Sequence, residues 1–180
     1  MLDCINYPLS FPSYSSVAGY EGKGNYAVSK YYQYPWRWLY RHKVRMIERA
    51  LRGNKFELML NFGSGPGILD YELYKYTKFL VNYDIGCPEI NGRYDIAVCA
   101  SVMEFVSLKD TFEKLSQHTE EIIVTSPMKT SLSDYYFRLI EDKHQRHPHQ
   151  DILENMVRYF SINYYRSWCG LYFCARGIRK

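Results

Sequence analysis

The segment Leu58-Met-Leu-Asn-Phe-Gly-Ser-Gly-Pro-Gly67 constrains this chain more than any other. A short apolar run, Phe56 to Phe62, enters a turn with glycine at alternate positions, and a helical pattern, Ile68 to Tyr76, leaves it. Glycine reaches backbone angles closed to other residues and lets the main chain approach a ligand with no Cβ in the way. A strand, a glycine turn and a helix in succession also aim backbone N–H groups at a polar ligand. A second apolar run, Phe79 to Tyr83, ends at Asp84. An acid at such a strand tip accepts hydrogen bonds from ribose hydroxyls. The series predicts an α/β nucleotide-binding fold, with Gly63, Ser64, Gly65, Gly67 and Asp84 at the ligand.

The rest of the chain continues the alternation. Pro35 suits a first helical turn, and Trp36, Leu39, Tyr40, Val44, Ile47 and Leu51 form an apolar stripe that Gly53 ends. Tyr94 to Ala100 and Ile122 to Thr125 read as buried strands. Leu108 to His118 reads as a helix, opened by Ser107-Leu-Lys-Asp110 in the manner of a capping box. Further helices are expected from Ser131 to about Glu141 and from Asp151 to Val157. Phe160 to Arg166 and Leu171 to Arg176 read as a closing hairpin turning at Gly170. Strands separated by helices imply crossovers, so the expected fold is a Rossmann-like, mostly parallel sheet with helices on both faces and an antiparallel C-terminal hairpin. Residues 1–34 are different: Pro, Gly, Ser and Tyr without period, an aromatic arm expected to lie on a single domain spanning 35–180.

Composition excludes several classes. At 180 residues, 47% hydrophobic and 23% charged, the chain has the balance of an ordinary globular domain rather than a fibrous or disordered one. No apolar run approaches the roughly 20 residues that cross a bilayer, so no membrane partner is expected. The opening Met1-Leu-Asp-Cys lacks the basic region and apolar core of a secretory signal. The cysteines Cys4, Cys87, Cys99, Cys169 and Cys174 are odd in number and contain no C-x-x-C pair, which argues against a disulfide framework and a zinc site. A cytoplasmic protein with reduced thiols is expected; a bridge between Cys169 and Cys174, across the Gly170 turn, is the one exception to consider.

Taken together, the segments resemble the class I S-adenosylmethionine-dependent methyltransferases. Gly63-Ser-Gly-Pro-Gly67 is similar to that family's first motif, and Asp84 to the acid of its second. Tyr94-Asp-Ile-Ala-Val-Cys-Ala-Ser-Val-Met-Glu-Phe-Val106 looks like the fourth-strand segment, and Ile122-Ile-Val-Thr-Ser-Pro127 like the fifth. Lys143-His-Gln-Arg-His-Pro-His149 before a short helix resembles the branch that acts on sugars and small molecules. The resemblance implies S-adenosyl-L-methionine as cofactor, with Asn61, Gly63, Ser64, Gly65, Gly67, Asp84, Ala100 and Ser101 binding it. It further implies transfer of a methyl group to a small-molecule or otherwise undefined acceptor. The sequence departs from the pattern in two places. Asn61 stands where the family usually has Asp or Glu. Only Ile85 to Tyr94 separate Asp84 from Asp95, where the family normally places a helix and a strand. That length is too short for a crossover of its own, so the strand ending at Asp84 should be the sheet edge, covered by the aromatic arm or by a second copy in a homodimer.

Other groups admit plainer readings. His144, His147 and His149 lack the fixed spacing of a metal site and no metal is expected, but histidine titrates near neutrality and His144 and His149 are candidate general bases. Arg37, Arg41, Arg45 and Arg49 run down one helix face and could meet phosphates of RNA or DNA, although a solvated face is the simpler expectation. A methyltransferase-like module that binds or assembles without catalysis is the competing reading.

Overall fold

A computed structural model describes residues 36–65, 67–84, 89–130 and 147–180. The aromatic arm, the helix expected from Ser131, and His144 lie outside the described residues.

The first helix, α1 (Trp36–Leu51), turns Leu39, Val44, Ile47 and Leu51 inward, and its four arginines are exposed. Arg52 and Gly53 then take left-handed angles and end it. β1 (Phe56–Phe62) leads through the glycine turn to α2 (Asp70–Leu73), and β2 (Thr77–Tyr83) follows. β3 (Tyr94–Ala100), α3 (Leu108–His118) and β4 (Thr119–Pro127) come next, then α4 (His149–Tyr159), β5 (Phe160–Trp168) and β6 (Tyr172–Arg179).

These strands form one sheet in the order β2-β1-β3-β4-β6-β5. The pairs among β1 to β4 are parallel, while β6 runs antiparallel to both β4 and β5. Alternation along each strand divides the core in two. On one face Met59, Leu80, Ile96 and Ile123 meet α1 and α2. On the other, Leu60, Ala97, Val124 and Phe173 meet Phe112 of α3 and Met156 of α4. This is the expected Rossmann-like architecture, with helices on both faces. Among the described residues no strand stands beyond β2, which is the sheet edge there.

The structure corrects three details. The helix expected over Ile68 to Tyr76 is a single turn, because the chain must rejoin the sheet early: Phe56 already pairs with Thr77. Ser107 does not cap α3 through the backbone; its hydroxyl donates to Asp110 Oδ2 at 2.7 Å. Cys169 and Cys174 are free, the first exposed at the hairpin turn and the second buried against α1.

Asp95, next to the first residue of β3, accepts from the N–H groups of Glu57 (2.7 Å) and Leu58 (3.0 Å). It thereby satisfies donors of β1 just before the β1–β3 ladder begins at Met59 and Ile96.

Candidate functional site

The parallel strands β1, β2 and β3 end side by side: Phe62 is opposite Tyr83 on one flank and Cys99 on the other. Their tips carry Gly63, Ser64 and Gly65, then Asp84, then Ala100 and Ser101. Seven of the eight residues expected at a cofactor, Asn61 with these six, are therefore brought together at one end of the sheet; Gly67 stands just behind them. In open α/β sheets, ligands bind beyond the carboxyl ends of the strands, where neighbouring connections part to opposite faces.

The turn is held by its own backbone. Gly63 N–H and Ser64 N–H both donate to Tyr83 O, at 2.7 and 3.1 Å, and Gly65 N–H donates to the Asp84 carboxylate. The glycines serve different ends. A Cβ on Gly63 would stand 2.3 Å from Val102 Cγ2, and one on Gly67 would stand 2.6 Å from Asp70 Oδ2. Among the described residues, a Cβ on Gly65 would meet only Asp84 Oδ2, at 3.9 Å. Gly63 and Gly67 thus make room for the chain itself, and no described residue crowds Gly65.

Beneath the turn Asn61 meets two side chains that sequence reasoning missed, Asp70 and Asn82. Asn61, 1% exposed, donates from Nδ2 to Asp70 Oδ1 and to Asn82 Oδ1, both at 3.0 Å. Asn82 Nδ2 donates to Asp70 Oδ2 at 2.6 Å. Burial pushes the Asp70 carboxyl up to about 6 from 3.8, against the pull of the two amide hydrogen bonds. A signal was present in the sequence: Asn61 and Asn82 are the penultimate residues of two apolar strands, and they are direct partners in the ladder.

The raised value makes a prediction about stability. The folded chain holds the Asp70 proton more tightly than the unfolded chain does. This group's contribution to stability is therefore fully present below about pH 4 and is lost as pH rises through about 6. The loss is at most about 3 kcal/mol. Asp70→Asn cannot ionise, so its stability relative to the wild type should improve between pH 4 and pH 7.5 in urea unfolding.

The ends of β3 and β4 are also polar. Ser101 has a left-handed backbone (φ 55°), and its N–H donates to Thr125 O at 2.8 Å. Lys43, buried on α1, donates to Ser101 Oγ at 3.3 Å. On the opposite face Ser126 donates to Oε2 of buried Glu104 at 2.8 Å. His149 is the first residue of α4 rather than a loop residue; its ring lies 6.2 Å from that of Phe173, the ladder partner of Ser126, and its buried Nδ1 has no hydrogen-bond partner among the described residues. His147 instead reaches Val106 O at 3.3 Å. Among the described residues, no group of three His, Cys, Asp or Glu side chains could hold a metal ion.

Solved structures with this sheet can now be compared. The chain is similar to the N-methyltransferase NodS from Bradyrhizobium japonicum WM9 in complex with S-adenosyl-L-homocysteine: 11% identity, TM-score 0.62, over 86% of this chain and 97% of that one. The chain has the fold of the class I methyltransferases. A putative S-adenosylmethionine-dependent methyltransferase from Listeria monocytogenes shares it at 10% identity and TM-score 0.60, over 77% of this chain and 98% of that one. Human N-acetylserotonin methyltransferase in complex with S-adenosylmethionine does so at 12% identity and TM-score 0.56, over 77% of this chain and 51% of that one. No protein-family model matches the chain, and no curated protein matches it significantly.

Proposed function

We propose that this protein is an S-adenosylmethionine-dependent methyltransferase acting on a small molecule. One observation carries the reading: a glycine turn whose middle glycine no described residue crowds, tied to an acid on the adjacent strand tip, in a sheet shared with methyltransferases. The residues fit such a cofactor. Gly65 leaves room for it, Asp84 is placed to accept from ribose hydroxyls, and the Ser64 side chain and the Ala100–Ser101 backbone border the same space. S-adenosylmethionine supplies a methyl group already activated by a sulfonium. The protein's own part is to hold the acceptor in line and keep water out. The acceptor would enter over the ends of β3 and β4, where His149, the candidate general base, packs against Phe173.

The edge position of β2 favours a second reading, a methyltransferase-like module that binds without catalysing, because nothing described flanks the strand that carries Asp84. Calorimetric titration with S-adenosylhomocysteine and S-adenosylmethionine tests the first reading. Binding at a one-to-one ratio with micromolar affinity is expected. Absence of binding at millimolar ligand refutes it and leaves the module reading.

A further inference from the structure

The side of the sheet opposite β2 carries a group of residues that the cofactor reading leaves unused. Trp38, His42, Arg45 and Arg49 follow one another along α1 in steps of four, three and four, and Arg52 continues the series three residues on. Such spacing keeps side chains on one face of a helix. That face borders β5, the outermost strand on this side among the described residues. Arg52 Nη2 donates to Asn163 O at 3.1 Å, and its guanidinium lies 5.7 Å from the centre of the Tyr164 ring. Toward the other end of the strand the His42 ring stacks on Trp168 at 4.2 Å. Trp38 meets both rings edge-on, His42 at 5.0 Å and Trp168 at 4.7 Å. Between these ends β5 adds Arg166, which is exposed. Its ladder partner, Cys174, lies against α1, so Arg166 shares the α1 face with Tyr164 and Trp168.

Charge on this surface has one sign. Glu48 is the one acid of α1, and β5 has none. Glu48 lies beside Tyr76, on the flank toward β2. Among the described residues Arg41, Arg45 and Arg49 make no ion pair. Like charges four residues apart on a helix repel, so the row stands against its own repulsion. Burial, and then the charges of Arg45 and Arg49, hold the His42 imidazole below its usual range, and it stacks as a neutral ring. Trp38 is 42% exposed, which leaves much of its indole to solvent.

Unpaired cations beside an exposed aromatic ring suit a polyanion whose charges alternate with flat rings. In a single strand of nucleic acid the phosphates meet the cations and the unstacked bases lie on the aromatic side chains. We propose that the α1–β5 edge binds single-stranded nucleic acid, with Arg41, Arg45, Arg49 and Arg166 on its phosphates and a base stacked on Trp38. This surface is separate from the cofactor end: Gly65 and Asp84 follow β1 and β2, on the other side of the sheet from β5. Its test is therefore independent of the cofactor reading.

Fluorescence anisotropy of the full chain with labelled oligo(dT) and oligo(U) of about 15 nucleotides provides that test. At about 50 mM salt, micromolar binding to both is expected, about tenfold tighter than to a duplex of the same length. Affinity should fall with salt along a log–log slope of about −2.8, for four phosphates at about −0.7 each. Replacing two exposed arginines together, Arg45→Glu with Arg49→Glu, should weaken binding at least tenfold and bring the slope to about −1.4. Trp38→Ala should weaken binding about tenfold at unchanged slope, because it removes stacking and no charge. Trp38 also packs on Trp168, so Trp38→Phe, which keeps a ring, should recover part of that affinity. Absence of binding at low salt, or wild-type affinity in either the arginine variant or Trp38→Ala, overturns the proposal. So does a duplex that binds as tightly as the single strands, or inorganic polyphosphate that displaces them at equal phosphate concentration.

Discussion

Gly65→Val should weaken binding of S-adenosylhomocysteine by at least a hundredfold, about 2.7 kcal/mol, while the sheet stays folded. The backbone at Gly65 is left-handed, with φ at 53°, and a Cβ there would enter space that, among the described residues, only Asp84 Oδ2 approaches, at 3.9 Å. The added isopropyl group would stand where the ligand must lie. Valine also dislikes a left-handed backbone, by about 1–2 kcal/mol, so part of any effect could be strain. Gly53 provides the control. Its φ is 73°, a Cβ there would touch nothing within 4 Å, and it lies after α1, before β1 begins. Gly53→Val should lose similar stability and keep full affinity. If Gly65→Val binds as tightly as the wild type, the glycine turn is not part of a binding site.

The contrast among the glycines shows what a sequence pattern can and cannot carry. Alternate glycines after an apolar strand announced the turn correctly, and the bounds expected for β1 and β3 are those observed. The pattern does not say why each glycine is there. Gly63 yields to Val102 and Gly67 to Asp70, contacts made across the fold that no local rule contains. The helix after the turn was overread for a related reason. Ile68, Leu69, Leu73, Tyr74 and Tyr76 satisfy a helical period, but the ladder pair Phe56 and Thr77 claims the chain after one turn, and tertiary pairing outweighs a propensity worth tenths of a kcal/mol per residue. Without further turns no long helix leaves the glycine turn, and the N–H groups of Gly63, Ser64 and Gly65 are taken by Tyr83 O and the Asp84 carboxylate. Asp70, the first residue of α2, reaches back to Asn61 and Asn82. At this same end of the sheet, Asn61 and Asn82 each stand as a polar break in an apolar strand; only the register makes them neighbours.

Arg176→Met should cost about 3–5 kcal/mol, the range for breaking a buried, multiply bonded ion pair from one side, out of a total near 5–15 kcal/mol for a domain of this kind. Arg176 is 4% exposed on β6 and faces α1. Its Nη1 donates to Ala50 O at 2.7 Å and Leu51 O at 3.4 Å, while Nε and Nη2 reach Glu121 Oε2 on β4 at 2.6 and 2.5 Å. Carbonyls in the last turn of a helix lack intrahelical partners, and a cation there also complements the helix dipole. Methionine fills much of the same volume, but it leaves Ala50 O and the Glu121 carboxylate without this donor, while Leu51 O keeps the Asn54 N–H at 3.0 Å. The loss should reach the site as well. α1 carries Lys43 to Ser101 and Tyr40 to Ile68 O, so loosening its C-terminal anchor frees the helix that borders the strand tips. Adding Glu121→Leu removes the unpaired carboxylate and should recover part of the stability, whereas Ala50 O still lacks the Arg176 donor and keeps recovery incomplete. Urea unfolding of the three proteins measures each step. A loss below about 1 kcal/mol in Arg176→Met would mean that water reaches these groups and that α1 is anchored by its apolar stripe alone.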